Sequence, residues 1–132
     1  MKFNGLIPEL SVSDIEKSKS FYIDILGFKL EYERKDDKFA FLSLEKAQIM
    51  IEEINGYWNT GELTPPFGRG VNFQIQTTDI YKIVDKIRSN NIILFRDIME
   101  SRYECNETTV VIKEILVQDP DGYLLRFSQT IQ

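Results

Sequence analysis

One plan is written twice in this chain, and that repeat limits its fold more than any other feature. Residues 6–30, LIPELSVSDIEKSKSFYIDILGFKL, and residues 71–95, VNFQIQTTDIYKIVDKIRSNNIILF, each run strand, capped helix, strand. In the first copy Ser13-Asp14-Ile15-Glu16 reads as a capping box, with Glu16 three residues after Ser13, and Gly27 reads as the residue that closes the helix. In the second, Thr78 or Asp79 caps, and Ile80, Ile83, Val84 and Ile87 fall on one helical stripe. Asn90-Asn91 ends that helix, because Asn tolerates the left-handed conformation. Three strand-like runs complete each copy: 28–34, 39–44 and 47–54, then 92–98, 108–117 and 123–130. The order is βαβββ, repeated once, and the fold class is α+β.

The 132 residues therefore predict a single domain, 1–132, built of a first module at 1–54, a linker at 55–70 and a second module at 71–132. The linker, NGYWNTGELTPPFGRG, is long for a connection without secondary structure, which marks such loops as functional or disordered. Asp119-Pro120-Asp121-Gly122 reads as a tight turn: Pro presets φ, Asp bonds its own backbone and Gly supplies positive φ.

Alternate residues of a strand face opposite ways. Leu10 and Val12, Ile49 and Ile51, Phe73 and Ile75, and Leu125 and Phe127 make apolar sets that belong under the helices. The reverse sets are largely polar: Glu9, Gln48, Glu52, Asn72, Gln74 and Arg126. Periodicity leaves two readings of that face, a solvated surface or a polar-lined trough for a ligand.

A net charge of -5 argues against nucleic acid or an anionic membrane surface as partner. The single cysteine, Cys105, allows no internal disulfide and fits a reducing compartment, and no apolar run is long enough for a spanning helix, so the expected location is cytoplasmic. The chain has no histidine to activate Cys105 as a nucleophile.

The repeated βαβββ order, with SDIEKSKSFYIDILGF early and QDPDGYLLRF late, resembles the vicinal oxygen chelate superfamily of glyoxalases, extradiol dioxygenases and bleomycin resistance proteins. The resemblance covers nearly the whole chain. It implies two modules whose sheets curl around a shared trough, often completed by a second subunit. It also implies that, in the enzymes, strand residues facing the trough hold a divalent metal. Those places fall here, to within a residue or so, at Ile7, Met50, Asn72 and Arg126. Ile7 has no lone pair, Met50 offers a soft thioether, Asn72 is a weak neutral ligand, and Arg126 repels a cation. No metal or other cofactor is expected, and no catalytic residue.

The metal-free branch of that resemblance, the bleomycin resistance proteins, implies a homodimer that sequesters a large cationic antibiotic with a flat aromatic tail. The ligand-binding residues expected on that reading are Phe39, which matches the family position that stacks on the tail, Tyr57, Trp58 and Phe67 from the linker, and Glu9, Glu52, Asn72, Gln74 and Arg126 from the strands. Arg126 is expected to pair with Glu9 or Glu52. Some members of the branch carry a second stacking Trp before the last hairpin, where this chain reads TTVVIKEILV. Two other readings stay open: a metal-dependent glyoxalase-like lyase or dioxygenase, and a small-molecule binding module for a different ligand.

Overall fold

Each helix starts at an aspartate that follows a small hydroxyl residue. The structure, a computed structural model, describes residues 1–131. Asp14 accepts from the backbone N–H groups of Glu16 and Lys17 and so caps α1, Ile15–Lys19. Asp79 accepts from that of Lys82 and caps α2, Ile80–Ser89. The expected capping box at Ser13 is therefore displaced by one residue. Ser13 instead bonds Asp121 of the other module. After α1 the chain widens into a π-helical segment, Ser20–Ile25, which buries the adjacent Phe21 and Tyr22. Gly27 at φ 89° then releases the chain into the next strand, a conformation that a side chain would oppose.

The strands are β1, Glu9–Val12; β2, Lys29–Arg34; β3, Phe39–Leu44; β4, Ala47–Glu53; β5, Asn72–Gln76; β6, Arg96–Cys105; β7, Thr108–Gln118; and β8, Leu124–Thr130. They form two four-stranded mixed sheets with one topology, β1-β4-β3-β2 and β5-β8-β7-β6, so the duplication seen in the sequence is present in space. The outer pairs β1/β4 and β5/β8 are parallel and the remaining pairs antiparallel. The two sheets do not pair with each other among the described residues. The largest departure from expectation is β6. A strand was expected over 92–98, but Ile92–Phe95 are irregular, and the strand runs on to a hairpin turn at Asn106, φ 59°.

The apolar strand faces pack as expected. Leu10, Val12, Ile49, Ile51, Ile75, Leu125 and Phe127 share one buried cluster with Ile80, Ile83, Val84 and Ile87 of α2 and with Tyr22 and Phe28. Each fully buried aliphatic side chain contributes roughly 1.5–3 kcal/mol. The core thus joins both modules through their helix-bearing faces, which leaves the opposite, polar face of each sheet turned away from it. No helix among the described residues is long and apolar enough to cross a membrane.

Candidate functional site

Strand register sets out the polar face of the first sheet in two rows. Glu9 lies beside Met50, Met50 beside Phe41, and Phe41 beside Tyr32. In the next row Ser11 lies beside Glu52, Glu52 beside Phe39, and Phe39 beside Arg34. Burial, and then the charge of Glu52, raise the Glu9 carboxyl above the usual range, with Arg34 opposing the rise. Phe41 and Tyr32 stack at 5.2 Å. Phe39 is only 3% exposed, and the Arg34 guanidinium sits 3.9 Å from its ring centroid. One face of the ring is thus already taken by a cation.

The linker folds back onto this sheet. The Trp58 indole N–H donates to Glu52 at 3.2 Å, and the Asn55 amide donates to the same oxygen at 3.3 Å. Trp58 and Tyr57 meet edge to face at 4.7 Å and are 57% and 78% exposed. Glu9, Glu52 and Trp58 are therefore brought onto one surface, with Tyr57 beside them and Phe39 buried in the same row beneath Arg34. Phe67 lies elsewhere: it is buried against Tyr123, with its N–H donating to the Asp121 carbonyl at 2.8 Å.

The second sheet repeats the layout with different chemistry. Gln74 lies beside Arg126 and Arg126 beside Leu116, so Arg126 holds the place that Met50 holds in the first module. Gln76 lies beside Ser128 and Ser128 beside Glu114, so Glu114 holds the place of Phe39. Arg126 pairs with Glu114, Nη1 to Oε2 at 3.2 Å, and not with Glu9 or Glu52. The two expected partners belong to the other sheet, whereas β7 runs next to β8. Glu114 is 1% exposed, and its other oxygen accepts from the Tyr103 hydroxyl at 2.7 Å. The Gln74 amide donates to Ser128 at 3.2 Å, and Asn72 is exposed at the start of β5. Among the described residues no hydrogen bond or ion pair links the Glu9–Glu52 group to the Arg126–Glu114 group.

Glu114 escaped the sequence reading, although it is the one acid in the apolar run Val110–Val117. An acid there, in step with an arginine on the neighbouring strand, is the signal that finds the pair. Arg34 gave no comparable signal, because its position over Phe39 depends on the β2–β3 register.

A divalent metal fits this donor set poorly. Arg126 is a fixed cation already paired with a buried carboxylate, and Met50 beside Glu9 is a soft ligand. No group of three or more His, Cys, Asp or Glu side chains among the described residues is placed to hold a metal ion.

Comparison with known proteins agrees with the duplicated fold. The profile of the Glyoxalase/Bleomycin resistance protein/Dioxygenase superfamily matches residues 7–127. A probable lactoylglutathione lyase of Synechocystis is 31% identical over 126 residues, covering 92% of this chain and 91% of that protein. A bleomycin resistance protein of Geobacillus stearothermophilus is 29% identical over 131 residues, covering 96% of each. The crystal structure of a Salmonella typhimurium virulence protein superposes with a TM-score of 0.70 at 23% identity, covering 99% of this chain and 100% of that one.

Proposed function

This chain belongs to the glyoxalase/bleomycin resistance protein/dioxygenase superfamily, and on that premise we propose that it is a non-catalytic protein that binds and sequesters a bleomycin-type antibiotic. The observation that carries the reading is the Arg126–Glu114 pair. It puts a compensated guanidinium at a strand position where the superfamily resemblance places a metal ligand. A donor set that fits a divalent metal this poorly argues against metal-dependent lyase or dioxygenase chemistry, and the same side chains can bind an organic guest.

The rest of the surface suits a cationic guest with a flat ring. Glu9 and Glu52 supply negative potential. Trp58 and Tyr57 expose aromatic area beside Glu52, and Phe39 lies in the same row beneath Arg34. Asn72 and Gln74 offer amides to orient polar groups of the guest. The two polar faces belong to separate sheets, so a homodimer that sets the first module of one copy against the second module of the other would complete a trough. Similarity to a bleomycin resistance protein supports the reading; lactoylglutathione lyases are more numerous among the relatives and match better, which supports the rival.

Two measurements test it together. Isothermal calorimetry of the purified protein with bleomycin should show saturable binding of one antibiotic per chain, and elemental analysis should find no stoichiometric metal. Stoichiometric zinc, nickel, iron or manganese, with no antibiotic bound at micromolar concentration, would overturn the proposal in favour of the lyase or dioxygenase.

A further inference from the structure

We propose that Arg126 is a subsite for a planar oxygen acceptor of the ligand, an amide or carbamoyl carbonyl or a carboxylate. The inference rests on reading the polar strand faces as the ligand surface, and it specifies what the second sheet would recognise.

Arginine carries five N–H donors in a rigid fork and no acceptor. Glu114 engages the fork through Nη1 only. The Nε–H and the adjacent Nη2 donors make up the other edge of the guanidinium, the edge that receives one or two oxygens side-on. Nε is buried and has no hydrogen-bond partner among the described residues. An orphaned donor of this kind is destabilising, and an incoming oxygen would satisfy it.

The rest of the cluster acts as a mount for that edge. Both Glu114 oxygens are engaged, one by Arg126 and one by the Tyr103 hydroxyl, so Glu114 fixes the guanidinium and does not itself face a ligand. The Glu114 side chain is 1% exposed and that of Arg126 28% exposed, so part of the arginine reaches the surface above its counter-ion while Nε lies covered beneath it. Leu116 and Leu124 flank it, and Gln74 lies beside it on β5. A low-dielectric rim of this kind strengthens a hydrogen bond to the guanidinium.

The experiment follows the Arg126 Nε–H resonance in ¹⁵N-labelled full-length protein. The protein is titrated separately with sodium acetate and with acetamide, and with sodium chloride at matched ionic strength as control. A saturable shift of that resonance with either oxygen probe, absent with chloride, is the expected result. A response to acetate alone assigns the subsite to an acidic ligand, and a response to acetamide as well assigns it to an amide-bearing one. Arg126→Lys keeps the charge beside Glu114 but loses the fork, so other resonances that respond around the site should need about tenfold more probe. No response of Nε to either probe, or the same response to chloride, overturns the proposal. Bleomycin calorimetry on the same sample separates the two readings. Antibiotic binding with an unresponsive Nε removes the subsite alone, and a responsive Nε without antibiotic binding removes the antibiotic alone.

Discussion

The Asp121 carboxylate accepts the backbone N–H of Ser13 at 3.0 Å, and so reaches from the β7–β8 turn of the second module to the residue that precedes the α1 cap in the first. Its mirror is present: Glu45, in the β3–β4 turn of the first module, accepts from the Thr78 N–H at 3.0 Å, just before the α2 cap. Equivalent residues near the ends of β4 and β8 match too, with Glu53 accepting from Ile15 N–H at 3.1 Å and Gln129 from Ile80 N–H at 3.0 Å. Each helix start is therefore held by its own aspartate, by its own sheet and by a carboxylate of the other module. The repeat acts as a reciprocal clasp between the halves.

Removing either carboxylate should loosen that clasp. Asp121→Ala strands the Ser13 N–H and hydroxyl, and Glu45→Ala strands the Thr78 N–H and the Thr77 hydroxyl, which donates to Glu45 at 2.7 Å. Each substitution is expected to lower unfolding free energy by about 1–2 kcal/mol. Urea unfolding monitored by circular dichroism checks this, and losses below roughly 0.5 kcal/mol for both would show that the clasp is incidental.

Asp119 should give the protein an unusual pH dependence. It accepts from the Tyr22 hydroxyl at 2.8 Å and from the Asp121 and Tyr123 N–H groups, yet burial outweighs these bonds and pushes its carboxyl from 3.8 up to about 6. The nearby charge of Asp121 adds to the rise. The folded state then binds this proton more tightly than the unfolded state does. The group's contribution therefore favours folding below the unfolded value of 3.8 and is lost as pH rises through about 6. Across that window the contribution falls by about 1–3 kcal/mol in total. Asp119→Asn should flatten that part of the stability curve, as measured by urea unfolding at a series of pH values. An unchanged slope between the two limits would refute the assignment.

The ion pair on the second sheet should behave as a unit. Arg126→Met leaves Glu114 charged and buried without its counter-ion, at a cost of about 3–5 kcal/mol. Replacing both, Arg126→Met with Glu114→Leu, should recover most of that loss, because two apolar side chains fill the same space without a desolvation penalty. A double-mutant cycle by chemical denaturation measures the coupling. Purely additive losses would mean that the two residues stabilise the sheet independently.

Local and periodic features of the fold could be read in advance. The βαβββ repeat, the α2 stripe and the alternation of Leu125 and Phe127 against Arg126 depend on near neighbours in sequence, and all are present. Features that depend on register are less legible. Glu114 meets Arg126 because β7 and β8 are aligned so that Leu116 faces Arg126, an offset set by the turn between them and not by the alternation within either strand, so the pair is found only when acid and turn are read together. Ser13 resembled a cap because a capping box is a local pattern, but its hydroxyl was claimed by Asp121, 108 residues away. The linker aromatics were recognised as candidates from composition. Only the fold shows that Trp58 reaches Glu52 while Phe67 is buried under Tyr123.

Trp58 is the one tryptophan of the chain, so its fluorescence reports directly on the first sheet's polar face. Its indole N–H bonds Glu52 at 3.2 Å while more than half of its surface stays open. A flat cationic guest stacked there would change both the polarity around the ring and that hydrogen bond. Bleomycin should therefore change Trp58 emission saturably, with the same midpoint as the calorimetric titration. Trp58→Ala should weaken binding by about 1–2 kcal/mol through lost stacking. Glu52→Gln should weaken it by about 1–3 kcal/mol if a charge-assisted bond is lost. Trp58→Phe separates the two contributions, since it keeps a ring but releases Glu52, and it should fall between wild type and Trp58→Ala. Emission that stays constant while calorimetry records binding would place the antibiotic away from this surface.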